Sequence, residues 1–436
     1  MVRILLATIS GCALGLSAIS SAAELEDFSL SSNLSYGYGT DSEISMQGQL
    51  EMLPAFDFTL SDNVALRASG RLRVDAKDLL EPGRGPLENY TPASEPLNIG
   101  PTGTAEIRDL YLEFRQGAGL SRFGKQQIVW GRLDGIKVLD VLNPQDFREF
   151  IIDDFEDSRI SLWSGYFDYT LGDWRAELAI IPDSSGHTIP NSGAWFELQA
   201  PRFRFGSSTA QPTPPLRYEQ PGLSLAETGV GLRMTRAIDL FEFSLVAYSG
   251  MDSEPLGRLE QAGQELVLER YYERQDTVGF SLDMGFGSAV FRAEYAYQPD
   301  RFFNSRSPLG LEATQLDQHR GAVGIDVEGP LAIFANVQFL VDHISDAPAN
   351  LVRPAQDQVA TFFLRRTFLY DTLTMEARWY RSFTDDDHLT SFSIDYALTE
   401  SLSVELAAQS FSGIRAGLFG QFADRDRISL SLQHTF

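Results

Sequence analysis

The sequence predicts an all-β fold, a transmembrane antiparallel β-barrel of about eighteen strands with short turns at one end and long loops at the other. Three observations predict this fold. Segments that alternate between apolar and polar residues recur along the whole chain, as expected of strands that have one face in lipid. The connections between these segments are alternately very short and long. The last segment is amphipathic and ends in a C-terminal aromatic residue, Phe436.

Residues 1–23 predict a secretory signal peptide. Arg3 is the only charged residue before an apolar stretch, and small residues precede Glu24 as they do at a cleavage site. The residues before Cys12 also fit a lipoprotein cleavage box, but the apolar run before that cysteine is very short. We therefore expect a mature chain of residues 24–436, which contains no cysteine and hence no disulfide.

The alternating segments fill most of the mature chain. Two of them, 44–60 and 266–285, are long enough to hide a misread hairpin, so sixteen strands is the alternative count. The segments lie at 28–39, 44–60, 63–76, 105–116, 119–131, 159–170, 173–182, 227–237, 239–249, 266–285, 287–298, 315–328, 331–344, 356–369, 372–383, 388–398, 401–412 and 425–436.

Connection length sets the predicted orientation in the membrane. Two-residue links such as 61–62, 117–118 and 171–172 are expected at the periplasmic end, together with the N-terminus. The long connections, including 77–104 and 183–226, are expected outside the cell. Because short and long connections alternate, the predicted number of strands is even.

Composition agrees with a membrane barrel and argues against a nucleic-acid partner. The net charge is −25, and loss of the predicted signal peptide makes it one unit more negative. The chain has 30 Phe and 15 Tyr, which can supply the two interfacial aromatic girdles of such a barrel. The expected partners are outer-membrane lipid, the barrel assembly machinery and a small-molecule solute, while the oligomeric state is left open.

The third external loop, 132–158, predicts a short amphipathic helix over 144–152. Asn143 is a good N-cap and Pro144 suits the first helical position. An amphipathic helix in a loop needs a surface to pack on, so we expect this loop to fold into the lumen against the barrel wall. The apolar face of the helix consists of Phe147, Phe150 and Ile151.

Charged residues predict a pore constriction. Arginines of the segment 63–76 share one face because strand side chains alternate, and the other face is apolar. Acids of the loop 132–158 would face these arginines across a gap, where opposed charges select solutes. The predicted constriction consists of Arg67, Arg71 and Arg73 on one side and Asp146, Glu149 and Asp153 on the other. The alternatives are paired charges that only fill a polar lumen, and an acidic loop that points outward into solvent.

Aromatic residues of the loop 183–226 predict a cover over the external mouth. Large apolar side chains in a water-facing loop are costly unless they pack on something or bind something. We expect these residues to make the first contact with a hydrophobic solute. They are Trp195, Phe196, Phe203 and Phe205.

Signatures of enzymes, metals and cofactors are not found in the sequence. The five histidines lack metal-ligand spacing, and no Gly-x-Ser-x-Gly motif occurs. We therefore expect no catalytic residue, no metal and no cofactor. A barrel hydrolase that uses His319 or His343 beside a loop serine is kept as a third alternative.

Two stretches carry a resemblance to known proteins. Residues 124–131, Gly-Lys-Gln-Gln-Ile-Val-Trp-Gly, and 141–146, Val-Leu-Asn-Pro-Gln-Asp, resemble a large family of uncharacterised Gram-negative outer-membrane β-barrel proteins. That family is distantly similar to alginate-export porins, and its members are thought to move hydrophobic or unusual compounds. The terminal strand that ends in Phe436 resembles the segment that the barrel assembly machinery reads.

Together these observations predict a channel in the outer membrane of a Gram-negative bacterium. The arginines favour an organic anion as solute, whereas the aromatic loop and the resemblance favour an amphipathic or hydrophobic one. The principal alternative is a barrel that does not transport and acts as a structural or adhesive surface scaffold.

Overall fold

The computed structural model describes residues 24–82, 88–153, 155–203, 216–262, 265–307 and 310–436. The predicted signal peptide and Phe205 lie outside these ranges. Eighteen antiparallel strands form a closed barrel, which confirms the predicted fold class and the higher of the two strand counts. The last strand pairs with the first and closes the sheet.

Twenty-two strands occur in the described residues, of which eighteen build the wall. The other four, β4, β9, β12 and β13, lie in connections between wall strands. The strands are β1 (Glu24–Gly39), β2 (Ile44–Ser61), β3 (Val64–Asp75), β4 (Leu97–Ile99), β5 (Gly103–Gln116), β6 (Gly119–Gln126), β7 (Leu162–Leu171), β8 (Trp174–Ile181), β9 (Leu216–Tyr218), β10 (Gly229–Ile238), β11 (Phe241–Met251), β12 (Leu256–Ala262), β13 (Glu265–Tyr271), β14 (Arg274–Phe286), β15 (Ala289–Ser307), β16 (Gly310–Glu328), β17 (Ile333–Ile344), β18 (Gln356–Phe368), β19 (Leu373–Ser382), β20 (Asp387–Ala397), β21 (Leu402–Ser412) and β22 (Arg427–Thr435).

Helix is scarce. The described residues contain one α-helical turn, α1 (Phe155–Ser158), and two 3₁₀ turns, Pro330–Ala332 and Gly420–Phe422. No helix in this part of the chain has the length and apolar character needed to cross a membrane.

Both long segments that left the strand count open are now assigned. The segment 44–60 is a single strand, β2. The segment 266–285 combines two elements, because its first residues belong to β13, which pairs with β12 in a hairpin outside the wall. Only the part from Arg274 onward is the wall strand β14. The segment 119–131 was also predicted too long, since β6 ends at Gln126, where the chain leaves the wall.

The wall has the reverse polarity of a water-soluble protein. On β22, Ile428 and Leu430 are 45% and 51% exposed, whereas the residues that alternate with them, Arg427 and Ser429, are buried. The strand β14 repeats this pattern with an exposed Phe280. Apolar side chains therefore cover the outside of the barrel and polar side chains fill the inside, as lipid and a polar lumen require.

One end of the barrel has tight turns, and we call it the short-turn end. Gly117 and Gly172 lie in two of these turns with φ of +60° and +64°. Glycine takes such angles without steric cost, and tight hairpins need them to match the twist of the strands. The opposite end, the long-loop end, carries the connections that hold most of the buried apolar residues.

Candidate functional site

The connection between β6 and β7, residues 127–161, folds inside the barrel, and we call it the inner loop. Its apolar residues pack on inward-facing residues of the wall, and Trp130 and Leu139 have no exposed surface. The wall makes room for them, because a Cβ at Gly231 would lie 2.6 Å from the Trp130 ring. The wall partners are Leu162, Tyr166, Ala179, Ile181, Val246, Tyr248, Ala296 and Ala322.

Asn143 ties the two ends of the inner loop together. Its side-chain oxygen accepts the N–H of Ile128 at 2.8 Å, and its side-chain nitrogen donates to the carbonyl of Ile160 at 2.7 Å. The backbone N–H of Ile160 also donates to the carbonyl of Pro144 at 2.9 Å. Asn143 and Pro144, which the sequence suggested as a helix start, instead form the neck of the loop.

The predicted helix over 144–152 is wrong. Gln145 forms a β-bridge with Arg159, and the residues after it make turns. Phe150 has φ of +58°, which lies outside the right-handed helical region. The helical turn of this loop is α1, several residues later. The hydrogen bonds of the neck therefore override the local helix signals.

A second loop holds the inner loop in place. The surface loop, residues 182–228 between β8 and β10, pairs with it through Thr188, whose backbone bonds both Gln145 and Phe147 at 2.9 Å. The Nδ1 atom of His187 accepts the N–H of Gln145 at 2.8 Å. Burial lowers the pKa of His187 to about 3, so its ring is neutral and able to accept this bond.

Arg71 and Arg73 contact the inner loop directly. Each guanidinium lies 3.8 Å from the carboxylate of Asp146. Arg71 also pairs with Glu106, and Arg73 pairs with Glu51 at 3.2 Å. All three predicted residues are therefore buried together in one ion-pair network. The gap expected between these arginines and Asp146 is not present, because the loop is seated on this side of the wall.

The other predicted constriction residues lie apart from that network. Arg67 is partly exposed and pairs with Asp57 at 3.0 Å on the neighbouring strand. Glu149 pairs with Arg427 at 2.9 Å on the last strand, which is separated from β3 in the wall by β1 and β2. Asp153 lies further along the inner loop and faces open space. The structure thus distributes the six residues over four places.

Open space runs along the free side of the inner loop. A first cavity of about 550 Å³ lies between the loop and the inward residues of β1, β2 and β18–β22. A second cavity of about 550 Å³ lies between the loop and β17–β19, toward the short-turn end. Five of the described residues line both cavities, and we call this place the junction. They are Asp153, Asp157, Arg365, Glu376 and Arg378.

Acids of the loop face arginines of the wall at the junction. Arg378 pairs with Glu376 at 2.9 Å, and Arg365 lies 5.5 Å above the ring of Phe334. On the loop side, burial raises the pKa of Asp153 to about 7, and the nearby carboxylates of Glu149 and Asp157 add to the rise. Acids of the inner loop and arginines of β18 and β19 thus line the same place, whereas the sequence predicted arginines of the segment 63–76 there.

The sequence contained part of the signal for these arginines. Arg378 alternates with the apolar Ala377 and Trp379, which places it on the inward face of its segment. Arg365 is followed by a second arginine, Arg366, so its face could not be assigned from alternation alone.

Apolar residues close over the long-loop end, and we call this cluster the apolar cap. Trp195 and Phe196 of the surface loop are 3% and 0% exposed within it. They are therefore not exposed at the mouth, and their contact with a solute stays a prediction. The guanidinium of Arg427, which lines the first cavity, lies 5.5 Å from the Phe196 ring. The cap consists of Met46, Leu80, Phe150, Trp195, Phe196, Leu389, Phe411, Phe419 and Phe422.

Phe203, also predicted for the mouth, is partly exposed outside this cluster. Its ring lies 5.5 Å from the guanidinium of Arg202. Arg202 is held in turn by Asp357 and, at 2.8 Å, by Asp385. The surface loop is thus fixed to the wall by ion pairs as well as by apolar contacts.

The two histidines considered for catalysis face away from the lumen. His319 follows Gln318, whose side chain is fully buried inside the barrel, so His319 points outward. Its ring stacks at 4.9 Å on Tyr297 and at 6.4 Å on His343. Within the described ranges, no group of three His, Cys, Asp or Glu side chains could hold a metal ion.

The chain is similar in fold to several solved structures. OccK8 (OprE) of Pseudomonas aeruginosa gives a TM-score of 0.52 at 12% identity over 94% of this chain and 97% of that one. OccAB1 of Acinetobacter baumannii gives 0.52 at 8% over 95% and 97%, and OccK5 (OpdH) of Pseudomonas aeruginosa gives 0.51 at 10% over 94% and 97%. These identities show likeness of fold alone. No curated protein matches the chain. Residues 101–436 match the family described as "Protein of unknown function (DUF1302)", and the chain belongs to that family.

Proposed function

We propose that this protein is a channel for small polar solutes in the outer membrane of a Gram-negative bacterium. The observation that carries the proposal is the pair of adjoining polar cavities that run beside the inner loop within a closed barrel. A barrel of eighteen strands is wide enough to leave an aqueous lumen unless loops fill it. Here the inner loop is seated against one side of the wall, so space remains on the other.

The outer surface of the barrel supports a membrane location. Exposed aliphatic and aromatic side chains alternate with buried polar ones along the wall strands, as in β14 and β22. In this proposal the short-turn end faces the periplasm and the long-loop end faces outward. Lipid and the barrel assembly machinery are the corresponding partners, and the signal peptide 1–23 is the route to the membrane.

The class of solute follows from what lines the open space. The expectation of an organic anion rested on Arg67, Arg71 and Arg73, none of which lines either cavity. The expectation of a hydrophobic solute rested partly on Trp195 and Phe196, which are buried in the apolar cap. The resemblance to alginate-export porins leaves a hydrophobic or unusual compound as a further expectation, but the polar cavities favour a water-soluble solute.

A non-transporting surface scaffold is the second candidate. The observation in its favour is the apolar cap, which covers the long-loop end above the first cavity. A scaffold can stay closed at that end, whereas a channel must open there. The two candidates therefore differ in whether current crosses the folded barrel.

Single-channel recording in planar bilayers tests the proposal. The purified barrel, checked for heat-modifiable migration, is expected to insert and give discrete current steps in KCl. Folded barrel that inserts without any current, judged by its protection from protease in the same membranes, would support the scaffold and overturn the channel.

The ion preference of the channel is expected to depend on pH near neutrality. Asp153, whose pKa burial raises to about 7, is neutral below that pH and negative above it. Rising pH therefore adds a negative charge at the junction and favours cations. A unit charge about 6 Å from the ion path in water contributes about 0.7 kcal/mol, or about threefold, and salt screening reduces this to about twofold.

Reversal potentials measured between pH 6 and pH 8 test this dependence. The permeability ratio of potassium to chloride should rise with pH in the wild type and stay flat in Asp153→Asn. Asp168→Asn is a matched control, because Asp168 pairs with Arg175 on another part of the wall and lines neither cavity. A pH dependence that survives in Asp153→Asn would assign the titration to another group.

A further inference from the structure

The charges that line the passage are predominantly acidic. From them we infer that the lumen selects for cations, so that its solutes are small positively charged organic molecules such as amines. This inference rests on the proposed channel function and reverses the charge preference that the arginine-rich strand β3 suggested.

The inner loop contributes acids to the passage. Its cavity-lining side includes Glu149, Asp153 and Asp157. Glu156 and Asp134 of the same loop line the second cavity. The acids of the loop thus continue along the passage toward the short-turn end.

The wall opposite adds further acids. Glu51 lines the first cavity from β2, Glu376 from β19, Asp395 from β20 and Glu405 from β21. These strands lie on the side of the barrel away from most of the wall partners of the inner loop. A solute in the first cavity therefore meets carboxylates on both sides.

Arginines do not balance these acids. Among the residues that the structure describes, seven carboxylates and four guanidinium groups line the first cavity. Glu51 pairs at 3.2 Å with Arg73 and Asp157 pairs at 3.7 Å with Arg108, and neither arginine lines the cavity, so five carboxylates remain against four arginines when both pairs are set aside. The four arginines are Arg148, Arg365, Arg378 and Arg427.

Three of these arginines are paired with acids that line the same cavity. Arg148 and Arg427 both pair with Glu149, at 3.2 Å and 2.9 Å. Arg378 pairs with Glu376 at 2.9 Å. Their charge is partly cancelled at short range, so the excess of acids sets the sign of the potential along the passage.

The position of the inner loop explains why the arginines of β3 do not cancel the negative potential along the passage. Asp146 lies 3.8 Å from both Arg71 and Arg73 and compensates their charge. Of the acids paired with these two arginines, Glu51 lines the first cavity, whereas Arg71 and Arg73 do not line it. Two cationic side chains of the wall are thus removed from the ion path, and the acids on the free side of the loop remain on it.

Reversal potentials under a tenfold KCl gradient at pH 8 test the inference. The wild type is expected to pass potassium about threefold or more over chloride. The double variant Asp395→Asn with Glu405→Gln should move the ratio toward one, because two carboxylates leave the first cavity. Arg365→Gln with Arg378→Gln should raise the ratio. Asp168→Asn, which changes the total charge away from both cavities, should leave it unchanged.

A second measurement needs no variant. Liposomes that contain the wild-type barrel should swell faster in lysine than in glutamate at matched osmolarity. A permeability ratio of potassium to chloride of one or less in the bilayer, or faster swelling in glutamate, would overturn the cation preference but not the proposed channel function. Absence of any current or swelling would instead overturn the channel itself, so the two failures are distinguishable.

Discussion

Deleting Phe436, or replacing it with Asp, is expected to remove most of the assembled barrel from the outer membrane. The folded state alone gives little reason for such a loss. The Phe436 side chain is 75% exposed and contacts the ring of His434 at 4.4 Å, while the hydrogen bond to Leu30 comes from its backbone. Substitution should therefore cost little stability. The expected loss follows from recognition of the terminal aromatic strand during assembly.

Two comparisons separate recognition from stability. Phe436→Asp should refold in detergent in vitro as well as the wild type, while its heat-modifiable form in membranes falls. Phe286→Asp is a matched control, because Phe286 is an exposed aromatic residue at the same end of the barrel but not at the chain terminus. Normal membrane levels of folded Phe436→Asp would show that assembly does not read this residue.

Breaking the apolar cap is expected to raise the single-channel conductance about twofold or more. Phe196 and Phe422 are both buried, and their rings lie 5.6 Å apart at the centre of the cap. Each buried Phe→Ala change costs about 3–5 kcal/mol of local packing. The cap is built largely from loops, so this loss should open the long-loop end while the hydrogen-bonded wall stays closed.

The double variant Phe196→Ala with Phe422→Ala tests this expectation in planar bilayers. Phe303→Ala is the control, because Phe303 is equally buried but belongs to a separate cluster with Ile344 and Leu351. Its conductance should match that of the wild type. If the cap variant also gave wild-type currents, the cap would lie away from the conducting path.

The wall could be predicted from the sequence because its signal is local. Whether a side chain faces lipid or the lumen depends on its position in its own strand. The alternation of apolar and polar residues around Leu430 therefore predicts the face of each side chain there. The same signal cannot tell a wall strand from a loop hairpin. Leu266 and Leu268 alternate as wall residues do, yet they belong to β13, and this produced the overlong segment 266–285.

The site could be predicted only in part because its contacts join distant segments. The alternation of side chains along the strand correctly placed Arg71 and Arg73 on the inward face. It could not show that Asp146 lies beside them and offsets their charge. The residues around Asn143 also fit a helix start when they are considered without the rest of the chain. The predicted helix is wrong because the side chain of Asn143 bonds residues on both ends of the inner loop, which no short window of sequence contains.

The pairing of Thr188 with the inner loop couples the outer surface of the barrel to its interior. Residues 145–147 hydrogen-bond to a segment of the surface loop, so displacing one displaces the other. In the proposed channel, a molecule that binds at the long-loop end and shifts the surface loop would also shift the inner loop beside the cavities, without entering the lumen. The current would then measure occupancy of the outer face, and the barrel would act as a sensor of its surroundings.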